Sequence, residues 1–256
     1  MLSPGLVSIT FRKLSPREIV ALVRRAGLRA IEWGGDIHVP HGELGRARET
    51  RELTADAGLT VAAYGSYYRV GHSEDDGLAF EAVLETALEL GAPLIRVWAG
   101  TVGSANIAAG ERDHLFAELR RIAALAARAR VQIAPEFHGG TFNDTNASCR
   151  ELLAAVPDAN VLSYWQPLLG MDEASARAGL TTIGPRLAHL HVYHWITVQD
   201  RRPLAEGAAL WRERLALVNA LPGEHAALLE FVRDDSPEQF LHDAATLLDC
   251  LRVLPV

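Results

Sequence analysis

Eight short runs of β character alternate with eight amphipathic helical stretches along the whole chain, and no other feature constrains the fold so strongly. The β-like runs fall at residues 6–11, 30–33, 60–64, 94–98, 131–137, 161–166, 187–193 and 227–232. The helical stretches fall at 16–26, 43–57, 78–90, 111–129, 147–155, 172–182, 205–220 and 237–251. A strand needs only a short apolar or alternating run, whereas a helix needs apolar residues spaced three and four apart, so the two signals separate cleanly. Helix starts carry their own chemistry. Ser15-Pro16 places a capping hydroxyl before a proline whose missing N–H costs nothing there, and Ser236-Pro237-Glu238 repeats the device. Gly27, Gly58 and Gly91 stand where left-handed C-caps belong.

Eight such units of about 30 residues fill the 256 positions with little remainder. That arithmetic predicts a (β/α)8 TIM barrel forming one domain over residues 1–256. A doubly wound open sheet shares the alternation but would show fewer strands and a glycine-rich phosphate turn. The nearest candidate for that turn, Glu32-Trp33-Gly34-Gly35, is not G-x-G-x-x-G. No linker, low-complexity tract or shift in composition marks a second domain.

Composition narrows the function. A 49% hydrophobic and 22% charged chain has ample material for a core, and no stretch approaches the roughly 18 apolar residues of a membrane span. The opening Met-Leu-Ser-Pro-Gly has no basic region or long apolar run, so a signal peptide is not expected. Cys149 and Cys250 cannot make a disulfide framework and neither lies in a CxxC pair, which points to a reducing cytoplasm. Acidic residues outnumber basic ones 32 to 25, and Lys13 is the sole lysine. Nucleic-acid binders need a basic face to displace counterions, and Arg120, Arg121, Arg128 and Arg130 read instead as a solvated helix face.

A barrel presents its chemistry at the C-terminal ends of its strands, and the period of two says which side chains face inward. In the fifth run Ala134, Glu136 and His138 share the inner face; in the sixth, Tyr164 and Gln166; in the seventh, His189, His191 and Tyr193. The eighth places Glu230 inward with Leu228, leaving Leu229 and Phe231 outward. The second adds Glu32 and the fourth adds Arg96 and Trp98. Charged groups on apolar strands are costly to bury unless paired or bound to metal. Glu136, His191 and Glu230 therefore read as a divalent-metal site, and oxygen and nitrogen donors with open positions suit Mn²⁺, Mg²⁺, Co²⁺ or Zn²⁺. The same two glutamates have the chemistry of a proton-exchanging acid–base pair. Glu32 has a second reading as an ion-pair partner of Arg96, and His189, one layer deeper, reads as a hydrogen-bonded core histidine. Tyr67-Tyr68-Arg69 and Trp98 also suit packing under a long loop. Trp165 and Trp211 read either as helix packing or as an interface of a homo-oligomer.

The stretches Ala30-Ile31-Glu32-Trp33-Gly34-Gly35, Ala63-Tyr64-Gly65-Ser66-Tyr67-Tyr68, Ile95-Arg96-Val97-Trp98, Pro135-Glu136-Phe137-His138 and His189-Leu190-His191-Val192 occur in strand order. In that order and spacing the chain resembles the xylose-isomerase-like barrel superfamily. That group includes ketose epimerases, hydroxypyruvate isomerase, inosose dehydratase and endonuclease IV-type repair enzymes. The resemblance implies one divalent ion held by Glu136, His191, Glu230 and a residue of the sixth strand. It also implies proton exchange by Glu136 and Glu230, and a small sugar, polyol or hydroxy-keto acid as substrate. The resemblance also implies a substrate-binding arginine in the loop after the seventh strand, Arg202, chosen over Arg201. The residues themselves add Trp98 and Tyr68 as stacking faces, His138 as a partial replacement for the missing sixth-strand histidine, and Glu32 as further substrate contacts. The sixth strand departs from the pattern: the expected Asp and following His fall on Gln166 and Leu169. Glutamine offers only a neutral oxygen, so a more weakly held ion, a changed reaction, or a pocket that binds without turnover follows.

Four functions are thus in play. The first is a metal-dependent isomerase or epimerase of carbohydrate metabolism. The second is a lyase, such as a dehydratase, sharing its first proton abstraction, and the third is a non-catalytic sugar-binding barrel. The fourth, an abasic-site endonuclease, is disfavoured: the third and fourth strands lack its histidines, and the nearest, His72, lies eight residues past Tyr64. The acidic loop Arg233-Asp234-Asp235-Ser236 argues against a phosphate group there.

Overall fold

The computed structural model describes residues 2–254, and in it eight parallel strands form one sheet that curls into a barrel. The strands are β1 (Leu2–Val7), β2 (Ala30–Gly34), β3 (Thr60–Arg69), β4 (Leu94–Trp98), β5 (Gln132–Pro135), β6 (Ser163–Trp165), β7 (Leu187–Val192) and β8 (His225–Leu229). Between and after them run α1 (Pro16–Arg25), α2 (Leu44–Asp56), α3 (Phe80–Leu90), α4 (Ala109–Arg128), α5 (Asn146–Ala155), α6 (Glu173–Ile183), α7 (Ala208–Asn219) and α8 (Pro237–Arg252). Their order across the sheet is β5-β4-β3-β2-β1-β8-β7-β6. Single bridges at Ile133–Val161 and Glu136–Tyr164 bring β5 against β6 and nearly close the ring. The Ile133 and Phe137 N–H groups donate to the Asn160 and Tyr164 carbonyls across that seam at 2.8 and 2.9 Å. The (β/α)8 barrel expected from the alternation is the fold observed.

Local signals act where their chemistry placed them. Ser15 caps α1, accepting from the Glu18 N–H while the Glu18 carboxylate returns to the Ser15 N–H at 2.7 Å. Ser236 accepts from the Gln239 N–H at the start of α8. Gly27, Gly58 and Gly91 follow their helices at φ +73°, +72° and +73°.

The first strand is displaced from its expected position. It spans Leu2–Val7, and Ser8–Phe11 forms a buried 3-10 turn instead. The Ser8 hydroxyl accepts the Gly34 N–H at 2.9 Å and the Thr10 hydroxyl accepts the Phe231 N–H at 3.0 Å. These side chains satisfy backbone donors of the neighbouring segments where the ladder has stopped. β3 differs in the opposite sense, running five residues past its expected end.

Two apolar layers hold the barrel. The outer one packs strands against helices and includes Trp33, Tyr64, Phe137, Trp165 and Trp211. Trp165 and Trp211 are buried and meet edge to face at 6.5 Å, so they are packing residues rather than an exposed interface. The inner one is made of smaller groups such as Val7, Ala63, Ala134 and Leu228, with Tyr164 at its centre. Small residues low in the barrel leave room for large charged ones at the C-terminal mouth. Cys149 and Cys250 are free and buried. Among the described residues, no helix is long and apolar enough to cross a membrane.

Candidate active site

A cavity of about 600 Å³ opens at the C-terminal ends of the strands. Its floor is an ion-pair network drawn from β2, β4 and β5. Arg96 on β4 is 2% exposed and lies between two carboxylates, donating through Nε to Glu32 Oε1 on β2 at 2.6 Å and through Nη1 to Glu136 at the end of β5. Gly65 on β3 makes this arrangement possible, because a Cβ there would lie 2.6 Å from Glu32 Oε1 and 2.8 Å from Arg96 Nη2. Glu136 is held by two further donors: Trp98 Nε1 reaches its Oε2 at 2.6 Å and Gln166 Nε2 its Oε1 at 3.0 Å.

His191 sits beneath, fully buried. Its Nε2 lies 3.3 Å from Glu32 Oε2, while Nδ1 lies 3.3 Å from Glu136 Oε1 and 3.5 Å from Glu230 Oε2. Nδ1 is buried and has no hydrogen-bond partner of good geometry. Donation from Nε2–H to Glu32 sets the ring orientation, so that once Nδ1 gives up its proton its lone pair faces Glu136 and Glu230. Donor atoms of Glu136, His191 and Glu230 all lie within 4.8 Å of one another. Among the described residues, no hydrogen-bond donor is directed at the Glu230 carboxylate, which lines the cavity.

The electrostatics match this geometry. Burial opposes the charge on Glu32, but Arg96 and His191 outweigh it and hold its pKa at about 2. Burial likewise opposes the charge on Glu136, and Arg96, then His191, bring it well below the usual carboxylate range. Burial would also discharge His191, yet Glu230 and Glu32 raise it to about 10. Glu230 goes the other way: burial pushes it up to about 7, with Glu136 adding to the rise and His191 opposing it. Three glutamates against one arginine, with His191 neutral, leave two negative charges around the His191 Nδ1 lone pair. A divalent cation balances that sum, and in its absence protons on His191 and Glu230 do so. The donor set therefore fits a divalent ion with three protein ligands and open positions.

Glu136, Gln166, His191, Glu230, Trp98 and His138 thus converge on one mouth. His138 forms a wall, its ring stacked on Trp98 at 4.9 Å and its Nδ1 2.7 Å from the Gly139 carbonyl. Gln166 is expected to offer its carbonyl oxygen, but its amide nitrogen faces Glu136 as a donor. The other three expected residues are placed elsewhere. Glu32 is fully buried behind Arg96 and His191 and does not line the cavity. Tyr68 lies in the outer layer, edge-on to Phe80 and donating to Glu118 at 2.7 Å. β3 runs past its expected end with a register break between Gly65 and Arg69, and Tyr67, at φ +56°, lines the cavity in place of Tyr68. Arg202 is tied to Asp200 by two hydrogen bonds at 2.6 and 2.9 Å and points to solvent. Arg201 instead lies over the Trp195 and Phe231 rings at 5.2 and 5.0 Å and pairs with Asp235.

Several lining residues carried no readable signal: Arg12, Asp36, Tyr67, Trp195 and Phe231. Phe231 is expected to face outward, but its φ of +45° breaks the alternation and turns it into the cavity.

The description "xylose isomerase-like TIM barrel" matches residues 20–250 of the chain. A 3-dehydroshikimate dehydratase of Bacillus anthracis is 30% identical over 206 residues, covering 73% of this chain and 70% of the relative. The structure of a probable 3-dehydroshikimate dehydratase of the same organism superimposes with a TM-score of 0.80 at 23% identity, over 97% of this chain and 99% of that one. D-psicose 3-epimerase of Clostridium cellulolyticum gives a TM-score of 0.74 at 16% identity, over 99% and 100%. At such identities the structural likeness speaks for the fold.

Proposed function

Because this chain belongs to the xylose isomerase-like TIM barrel family, we propose that it is a divalent-metal-dependent lyase that removes water from a small hydroxylated carbonyl compound. The observation that carries this reading is the unequal environment of the two cavity glutamates. Glu136 accepts from Arg96, Trp98 and Gln166, and those three donors hold it as a fixed anion. Glu230 has no such donors, which leaves its carboxylate free to take up a proton. Epimerisation needs two groups that exchange protons on opposite faces of one carbon. A site with one free carboxylate suits elimination better, which favours the dehydratase alternative over the isomerase or epimerase expected first.

Glu136, His191 and Glu230 would hold the ion, each through one atom. When bound, it supplies electrophilic stabilisation of the negative charge that develops on a substrate carbonyl oxygen. The second oxygen of Glu230 takes the proton beside that carbonyl. The electron pair of the broken C–H bond forms a carbon–carbon double bond as the neighbouring C–O bond breaks. His138 gives a proton to the departing hydroxyl, so water leaves, and solvent restores both residues. Trp98, Tyr67, Trp195 and Phe231 supply flat faces suited to a ring. The dehydratase relative adds support through its name.

The test is to incubate Mn²⁺-loaded protein with 3-dehydroshikimate and follow the ultraviolet band of the aromatic product. Water loss, abolished in Glu230→Gln with an unchanged melting profile, is the expected result. Epimerisation of D-psicose without dehydration would overturn the lyase reading, since His138 would then be acting as a second proton carrier. Ligand binding with no turnover in either assay would favour a non-catalytic barrel.

A further inference from the structure

We propose that Arg12 anchors a substrate carboxylate at the outer wall of the cavity, so that the site takes an anionic hydroxy-keto acid rather than a neutral ketose. The assignment rests on the reading of this cavity as the site of a small hydroxylated carbonyl compound. Two arginines line the cavity among the described residues, Arg12 and Arg96. Arg96 is unavailable: it is buried, bound to Glu32 and Glu136, and covered by the Tyr67 ring at 4.9 Å. Arg12 is different. It makes a single ion pair, Nη2 to Asp36, beside the Tyr67 hydroxyl, and its side chain is 49% exposed. A guanidinium has five N–H donors in a planar fork, so the contacts to Asp36 and the Tyr67 hydroxyl still leave donors free for a carboxylate.

The backbone that carries Arg12 is firmly seated. It follows the buried Ser8–Phe11 turn, in which Thr10 is bonded to the Phe231 N–H, Phe11 packs on Phe240 at 5.5 Å and Ile9 lines the cavity itself. The cavity is therefore dipolar. The end of the cavity held by Glu136, His191 and Glu230 takes the carbonyl end of a ligand, while Arg12 takes the carboxylate end and fixes which way round the ligand lies. Asp36 competes for the same guanidinium and weakens the anchor. One cation beside one carboxylate suits a monoanion better than a phosphate dianion.

The experiment titrates three probes into Mn²⁺-loaded protein, read by quenching of tryptophan fluorescence from Trp98 and Trp195. The probes are 3,4-dihydroxybenzoate, catechol (the same ring without the carboxylate) and phenyl phosphate. Wild type is expected to bind the carboxylate at least about tenfold more tightly than catechol, the size of one charge-assisted contact. Arg12→Gln should erase that difference while leaving catechol affinity and the melting temperature as they were. Arg12→Lys should keep part of it, and Asp36→Asn should widen it. The anchor is overturned if Arg12→Gln retains the difference, if wild type shows none, or if phenyl phosphate binds best. Dehydration without an Arg12-dependent gap sinks the anchor alone; a gap without dehydration sinks the lyase reading alone.

Discussion

Arg96 decides more of this site than any other residue. It neutralises Glu32, fixes Glu136 as an anion and so leaves Glu230 as the carboxylate free to move a proton. Removing one partner of a buried ion network leaves uncompensated charge, typically at a cost of about 3–5 kcal/mol. Arg96→Met should therefore lower unfolding stability by about that amount, measured by denaturant titration of metal-free protein. Gly65 supports the same network by having no side chain. Gly65→Ala must push apart Glu32 and Arg96, and it should weaken Mn²⁺ binding in calorimetry although it touches no proposed ligand. An unchanged affinity would show that Glu32 and Arg96 do not set the geometry of Glu136 and His191. Protonation adds a sign that can be checked. In the metal-free protein His191 holds its proton up to about pH 10 and Glu230 up to about pH 7, so an incoming cation must displace protons from both. Mn²⁺ affinity should therefore rise between pH 6 and pH 8, with proton release visible as a dependence of the calorimetric heat on buffer ionisation enthalpy.

Strand ends, more than strand middles, separate the expected elements from the observed ones. In β3 the strand runs on to Arg69 through a register break after Gly65, and Tyr67, at φ +56°, takes the cavity position expected of Tyr68. Tyr68→Phe loses one hydrogen bond to Glu118, so it should reduce stability by about 1 kcal/mol and leave ligand binding alone. Tyr67→Ala should weaken binding of aromatic probes by fluorescence titration with only a small change in stability. The reverse pattern would restore Tyr68 to the mouth. After β8 the alternation fails for a different reason. Phe231, Asp234 and Asp235 all adopt positive φ, conformations that cost non-glycine residues energy and persist only where the surroundings enforce them. Arg201 lies over Phe231 and Trp195 and pairs with Asp235, Thr10 accepts the Phe231 N–H and Trp195 Nε1 donates to the Phe231 carbonyl, and together these contacts hold this segment.

At the scale of the molecule, the barrel gathers into one buried cluster charges that are far apart in the chain: Glu32 and His191 are separated by 159 residues, yet lie 3.3 Å from each other. Stability should accordingly respond to pH through this cluster. Glu32, held at about 2, contributes stability that is present above its unfolded value near 4.5 and lost as pH falls through 2. His191, raised to about 10, contributes stability present below about 6.5 and lost as pH rises through 10. Metal-free protein should therefore melt highest between these limits and lower on both sides, and Glu32→Gln should remove the Glu32 part of the acid limb in scanning calorimetry. The eight-fold alternation was written in the sequence because helix and strand periods, caps and C-cap glycines are local properties of neighbouring residues. The inward positions of Glu136, Gln166, His191 and Glu230 were legible for the same reason, since a period of two needs no knowledge of other strands. The pairing of Arg96 with both carboxylates, the turn of Tyr67 and Phe231 into the cavity, the solvent-facing Arg202 and the part-free fork of Arg12 were not. They depend on which strands lie side by side, where each ladder stops and what loop backbones are forced to adopt, and those are settled only when the ring closes and its charges must find partners away from water.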